Sequence, residues 1–570
     1  MGSKRKWKKG FTLVELLAVI IILAIILAIA IPGISNIVST SRKAAFESDA
    51  KLIIKGISYL QLNNENYNVS SINETNLKDL TGVGADNYNT LSVSKVNGEI
   101  KVIIVGKNKW DDLVAYGTSD DIKVVDSSDF TGFADNSGAS EPELANNMIP
   151  IMYYNGNWVK ADKDNLVDTY SWYDYTTKKW ANAVTVKSST LETYKNGEIG
   201  TTIVDEKDIL TYLVWIPRYK YAIPVGEGER SINIAFENSL TPKSSGTAID
   251  TDYRTHPAFA FGNKKLNGFW VGKFETTGTI GTTNVITVKP NLESLGSQTV
   301  STLYTAIGNM KSGGNLYSFS SNEVDTHMMK NDEWGAVAYL SKSVYGLNSE
   351  IYKNNSSSYY TGRSGGNVGG SQIKPNGTNE YIGTGFYTYD GKCATTTAIV
   401  SDKDPNNKPL DPNCTVVGNT ISDKSLAYNA STTGNIYGIY DMSGGLWEYV
   451  MGNYNNYSGY SSTYNSGFNG PNGYDGTTVT AGLSFPSSQY YNLYTTPNVS
   501  TACNGGICYG HALSETSGWY GDYAGMVNAN YPWFVRGGHC IGTASVGAFN
   551  FNYGSGGAYG SVRVVVALTN

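Results

Sequence analysis

Phe11 to Ile31 forms a run of twenty-one residues that are apolar or small, with one charge, Glu15. As a helix rising ~1.5 Å per residue it reaches roughly 31 Å, enough to cross a bilayer core. Beyond Pro32 the pattern becomes amphipathic. Ile34, Ile37, Val38, Ala44, Ala45, Phe46, Leu52, Ile53, Ile57 and Leu60 recur at near-helical spacing, so the helix is predicted to continue with an apolar stripe laid on a small sheet. Residues 90–107, TLSVSKVNGEIKVIIVGK, alternate about Asn97-Gly98 and predict a hairpin, with a third strand at 122–126. Residues 127–147 are rich in Ser, Asp, Gly and Asn and read as a linker. Residues 148–162 and 172–186 each read as a β-run split by a turn, with Trp158, Trp172 and Trp180 spaced along them. Core indoles are the simpler reading and a sugar-binding platform the sharper one. From residue 205 the texture changes to short strands, long loops and frequent glycine. Within it, 331–344 predicts a helix capped by Asn331 or Asp332, with Trp334, Val337, Ala338 and Val344 at helical offsets. Residues 437–450, YGIYDMSGGLWEYV, predict strand, glycine turn and strand, with Trp447 in the core.

The length of 570 residues implies two to four domains. Net charge is −6 and no basic stripe follows residue 10, which argues against nucleic acid as a partner. The 63 Gly and 42 Tyr point to a β-rich, turn-rich head, and the tyrosines within 452–476 favour an ordered loop over a low-complexity linker. Five cysteines are present. Cys503 and Cys508 bracket a tight Asn-Gly-Gly turn, and Cys393 and Cys414 bracket a Pro- and Asp-rich loop. Both spacings suit disulfides in an oxidising, exported head, the longer bridge contributing on the order of 3 kcal/mol. A metal site of four thiolates is the alternative, though no CxxC is present. Cys540 is left over.

Residues 1–10, MGSKRKWKKG, carry five Lys or Arg, which hold this side of an apolar helix in the cytoplasm. The basic leader, Gly10 and Phe-Thr-Leu-Val-Glu-Leu together resemble the type IV prepilin signal. The resemblance covers roughly residues 8–60. It implies cleavage by prepilin peptidase between Gly10 and Phe11, N-methylation of Phe11, and a helix-kinking role for Pro32. It also places Glu15 as the fifth mature residue, paired with the amino terminus of a neighbouring pilin subunit in a filament. That pairing accounts for a carboxylate otherwise unfavourable in lipid. The implied organisation is a leader at 1–10, the transmembrane part of the pilin helix at 11–34, a pilin-like globular domain at 35–126 and a linker at 127–147. An aromatic hairpin module at 148–204 and a head at 205–570 follow.

The head carries GIYDMSGGLWEYV at 438–450 and, further on, RGG at 536–538 and VRVV at 562–565. In that order they resemble the formylglycine-generating-enzyme/sulfatase-modifying-factor domain, a variant of the C-type-lectin fold. The fold class is therefore α+β: a long pilin helix with a small antiparallel sheet, then a mixed α+β head with long loops. The family's oxidases hold copper on two cysteines near RGG. Only Cys540 stands here, so no copper site and no oxidase activity are expected. His256, His327, His511 and His539 lie far apart in sequence, and neither a Ser-His-Asp elbow nor a P-loop is present. The family's calcium turn maps onto Asp441 and Glu448 as carboxylate ligands and Gly444 and Leu446 as carbonyl ligands. Gly445 departs from the family's usual Asn.

The expected function is that of a large minor pilin-like protein, tip-associated, whose head binds a protein or glycan and mediates adhesion. A pseudopilin of a secretion or DNA-uptake system is the alternative, as is a retroelement-diversified binding protein. A tethered enzyme fits least. The expected localisation is the membrane, single-pass, before assembly, and the cell surface afterwards. The expected ligand surface is made of Trp519, Tyr520, Tyr523, Tyr553 and Tyr559, in Gly- and Asn-rich segments near the C-terminus. Trp533, Phe549 and Phe551, which adjoin apolar strand residues, are assigned to the core.

Overall fold

The computed structural model describes residues 13–63, 69, 72–96, 99–120, 122–127, 137–154, 157–163, 171–224, 229–237, 253–312, 316–354, 356, 359–362, 428–503, 506–542 and 545–569. Gly10, Phe11, Cys393 and Cys414 lie outside them, and the Glu15 side chain is likewise outside the description. The fold is mixed α+β, mostly sheet with few helices, and divides into two compact units, 1–131 and 132–570.

In the first unit, α1 spans Leu13–Asn63 and α2 Leu77–Thr81. Four strands follow, β1 (Tyr88–Val96), β2 (Glu99–Gly106), β3 (Leu113–Thr118) and β4 (Ile122–Asp126), in an antiparallel sheet of order β1-β2-β3-β4. Among the described residues no helix is long and apolar enough to cross a membrane, and the side chains of residues 23–37 in α1 are outside that description. The buried face of α1 is Phe46, Ala50, Ile53, Ile54 and Ile57, a spacing that keeps one stripe over the sheet. Phe46 stacks on Trp110 and Tyr88, with centroids 5.2 and 6.2 Å away. Leu52, expected in the stripe, is exposed, and Ala44 and Ala45 are exposed too. Each lies off the line joining Phe46, Ala50, Ile53 and Ile57. β3, absent from the sequence reading, is a short apolar run that reads as a strand only once β2 and β4 flank it.

In the second unit the chain forms β5 (Met148–Tyr154), β6 (Asn157–Lys160), β7 (Asn182–Val186), β8 (Ile209–Pro217), β9 (Gly268–Gly272) and β10 (Val324–Met328). Helix α3 (Asn331–Ser341) follows, then β11 (Glu448–Tyr454), β12 (Asn492–Tyr494), β13 (Trp533–Arg536), β14 (Phe551–Gly554), β15 (Ser561–Val562) and β16 (Val564–Leu568). A seven-stranded antiparallel sheet runs β10-β16-β9-β8-β7-β5-β6. A second sheet runs β12-β11-β13-β14, with β15 also paired to β11. The aromatic region 148–204, read as a separate module, is thus three strands of the head's own sheet: the expected hairpin forms as β5 and β6, whereas 172–181 is irregular and the second expected β-run supplies only β7. Their indoles are core: Trp158, Trp172 and Trp180 are buried, and Trp172 stacks on Trp270 at 6.0 Å. The end of the expected linker also belongs to the head. Ala145 and Asn147 are buried, and Glu143 accepts hydrogen bonds from Asn267 and from the Trp270 indole.

Helix α3 is buried along its whole length. Its first turn is closed by the Glu333 carboxylate, which accepts from Lys330 N–H at 2.8 Å. Gly335 lets it approach the loop below, since a Cβ there would sit 1.9 Å from the Gly510 carbonyl oxygen. Val344, expected on the helix face, lies beyond its end and is exposed. Of the expected strand–turn–strand at 437–450, only the part from Glu448 is a strand; 437–447 is irregular.

A buried charged network joins β10 to α3. The His327 ring contacts Asp325 at 2.9 Å and Glu333 at 3.0 Å, and Lys330 lies 3.6 Å from Asp332 and 3.5 Å from Glu333. Lys311 also pairs with Asp325. Burial opposes a charge on His327, but Glu333 and Asp325 outweigh it and raise its pKa to about 9. A raised folded-state pKa stabilises fully below the unfolded value near 6.5 and ceases to do so as pH rises through 9. His327→Gln is therefore expected to lower stability by on the order of 3 kcal/mol at pH 6, a deficit that shrinks towards pH 9.5. Urea unfolding of the two chains at both pH values checks this. A deficit independent of pH would remove the imidazolium from the account.

Candidate functional site

Two glycine turns far apart in sequence meet in the head. Gly444 and Gly445 have φ of +81° and +71°, and Gly537 and Gly538 have +76° and +80°, values that favour glycine. Gly444 N–H donates to the Gly537 carbonyl at 3.0 Å, and Cys540 N–H donates to the Gly445 carbonyl at 2.8 Å. This cross-link sets Trp447 beside His539, with ring centroids 5.2 Å apart, and Tyr359 packs on His539 at 5.4 Å. Next to them opens a cleft of about 320 Å³, lined by Trp447, Tyr523, His539, Ser545, Asn550 and Asn552, with Gly538, Ile541, Gly542 and Val546 completing it.

The lining is mostly apolar, and the polar groups within it are uncharged. His539 Nδ1 accepts from Ile541 N–H at 3.3 Å, which places the ring proton on Nε2. Burial lowers the pKa of His539, so the ring is neutral at pH 7. Asn550 is buried, its Nδ2 donates to the Ser545 carbonyl at 2.6 Å, and its Oδ1 has no partner. Asn552 Oδ1 accepts from Tyr553 N–H, at 2.8 Å. Trp447, expected in the core, is only half-buried because the turn before β11 brings it to the cleft.

Of the five residues expected to form the ligand surface, Tyr523 lines the cleft. Tyr553 is exposed beside it, and its ring and that of Tyr523 flank Gly525. Trp519 is buried against Phe549, at 5.1 Å. Tyr520 is half-buried between Phe549 and Lys342, and Tyr559 is exposed with its hydroxyl engaged by Ser555. Neither Tyr520 nor Tyr559 lines the cleft. Trp533, Phe549 and Phe551 are buried. Sequence reasoning missed His539, Asn550 and Asn552. The available signal was the RGG turn, which places the next residue on a tight bend, and the Asn-rich stretch after it.

The calcium expectation meets a different arrangement. Both Glu448 oxygens accept from Arg563, at 2.6 and 3.0 Å. Asp441 accepts from Asn354 Nδ2 at 2.8 Å and from the backbone N–H groups of Gly362 and Glu275. Leu446 N–H donates to Glu275 at 3.1 Å, and Glu275 also accepts from Ser294 and Ser561. Burial, then Glu448 and Asp441, raise the Glu275 pKa well above the usual carboxyl range. Both Glu448 oxygens are thus held by a guanidinium, and Asp441 accepts from N–H donors on three sides. Cys503 and Cys508 are joined in a disulfide. His511 lies close enough to share a metal with them, but each sulfur is bonded to the other. Burial pushes the Cys540 thiol up to about 11, which leaves it protonated at neutral pH.

The family model for the prokaryotic N-terminal methylation motif matches residues 8–31. No curated protein matches the chain. The motif makes the N-terminus type IV pilin-like or pseudopilin-like. It is consistent with processing by prepilin peptidase and assembly with other pilin subunits, and it suggests a membrane-anchored, then surface-exposed, protein.

Proposed function

We propose that the chain is a large minor pilin-like subunit, carried at or near a filament tip, whose head binds a surface ligand and mediates adhesion. We read the head as related to the sulfatase-modifying-factor domain and its C-type-lectin-like fold, serving binding rather than catalysis. The observation that carries the reading is the cleft, in which two aromatic rings, a neutral imidazole and two side-chain amides from distant segments converge. The protonated Cys540 thiol supports a non-catalytic role for the nearby RGG turn. The methylation motif serves the pseudopilin alternative equally well, because that motif belongs to both kinds of subunit.

The test of the filament half of the proposal is the mature N-terminus. Intact mass and N-terminal sequencing of the surface form are expected to show a chain beginning at N-methylated Phe11. A surface chain beginning at Met1, or beyond Pro32, would end the pilin-like reading.

A further inference from the structure

We propose that the cleft at Trp447 takes an uncharged saccharide unit, and that a row of tyrosines leading from it receives the rest of a short neutral oligosaccharide. This rests on the reading of the head as a ligand-binding domain.

Four features of the cleft argue for that class. Among its described lining residues there is no Lys, Arg, Asp or Glu, so it holds no counter-charge for a phosphate, a carboxylate or an ammonium. Its polar groups are mixed in kind. His539 Nε2 is a donor, Asn552 Nδ2 offers further donors, and the Tyr523 and Ser545 hydroxyls both donate and accept. A hydroxyl group both donates and accepts, so a polyol can meet all of them. An ammonium would set donor against the imidazole N–H. Trp447 and Tyr523 supply apolar ring surface for the C–H face of a pyranose. The volume of about 320 Å³ lies near the lower end of ligand pockets, which suits one small ring.

The row of tyrosines begins at the cleft. The Tyr523 and Tyr553 rings both flank Gly525, and Tyr553 packs on Tyr531 at 5.4 Å. Tyr531 packs on Tyr460 at 5.5 Å, and Tyr460 stacks on Tyr474 at 4.8 Å. Tyr474, at the far end, is 70 % exposed. Stacking orders the rings in advance, so that a ligand finds a surface of aromatic edges and hydroxyls with little entropy left to lose. An extended peptide is the less suited occupant, because the cleft presents side chains, where strand addition needs an open row of backbone groups.

The full mature chain, in detergent, is to be applied to an array of short neutral glycans, acidic glycans and peptides, alongside Trp447→Ala, Asn552→Ala and, as a control away from the cleft, Tyr464→Ala. Thermal melts establish that each variant is folded. The expected result is retention on neutral glycans, weakened about tenfold or more by Trp447→Ala and Asn552→Ala and unchanged by Tyr464→Ala. Retention on acidic glycans or peptides that is lost in the same two variants overturns the saccharide class and leaves the cleft as a ligand site. Retention that neither variant alters, or no retention at all, overturns the proposal at this site.

Discussion

Arg563→Met is expected to destabilise the head by about 3–5 kcal/mol, the size of effect seen when one partner of a buried ion pair is removed. Arg563 is fully buried. Its Nε and Nη2 hold both oxygens of Glu448 at the start of β11, and its Nη1 donates to the Gly272 carbonyl at the end of β9, 2.9 Å away. One side chain therefore ties the two sheets together. It also faces three buried carboxyl groups, Glu275, Asp441 and Glu448, and is the cation that offsets their charge. Burial already raises the Glu448 pKa to about 7 against the pull of Arg563. Without Arg563 it rises further, and a raised folded-state pKa loses stability as pH increases. The deficit is thus expected to be larger at pH 8 than at pH 5, and Glu448→Gln in the Arg563→Met background is expected to recover part of it. Urea midpoints at the two pH values measure both. A deficit under about 1 kcal/mol at pH 8 would show that the pair contributes no more than an exposed one.

Glu15→Ala is expected to leave membrane insertion intact and to cut incorporation into filaments by at least about tenfold. A carboxylate within an apolar run costs about 3 kcal/mol in lipid, so its removal can only ease insertion. What the variant loses is the acidic partner for a neighbouring subunit's amino terminus, the pairing that the motif at residues 8–31 implies. Quantitative immunoblots of sheared filaments against membrane fractions separate the two steps. Normal filament yield with the alanine would place the role of Glu15 elsewhere.

The parts of this protein legible in the sequence are those whose information is local. The methylation motif is a contiguous string, and its match needs no tertiary structure. The alternation on both sides of Asn97-Gly98 corresponds to β1 and β2, which pair from Val96↔Glu99 onward. The Trp334, Val337 and Ala338 spacing corresponds to α3, because a helix repeats its own contacts every turn. The close spacing of Cys503 and Cys508 allows a bridge within one turn.

What only the tertiary structure decided depends on partners distant in the chain. Glu448 looks equally like a calcium ligand or an ion-pair partner until Arg563, at the other end of the head, takes both its oxygens. Trp447 has the composition of a core residue, yet the Gly444–Gly537 and Gly445–Cys540 hydrogen bonds set it at the rim of a cleft. The hairpin strands at 148–186 alternate like a free-standing module, but the edge of β8 offers them unpaired backbone groups, and pairing there buries their tryptophans. Trp519 and Tyr523 stand four residues apart in one loop, and the Phe549 ring buries the first while the second reaches the cleft. Sequence periodicity reports which face of an element is apolar. Which neighbour covers that face, and which polar groups remain unmatched for a ligand, depends on contacts between segments that the chain brings together only when it folds.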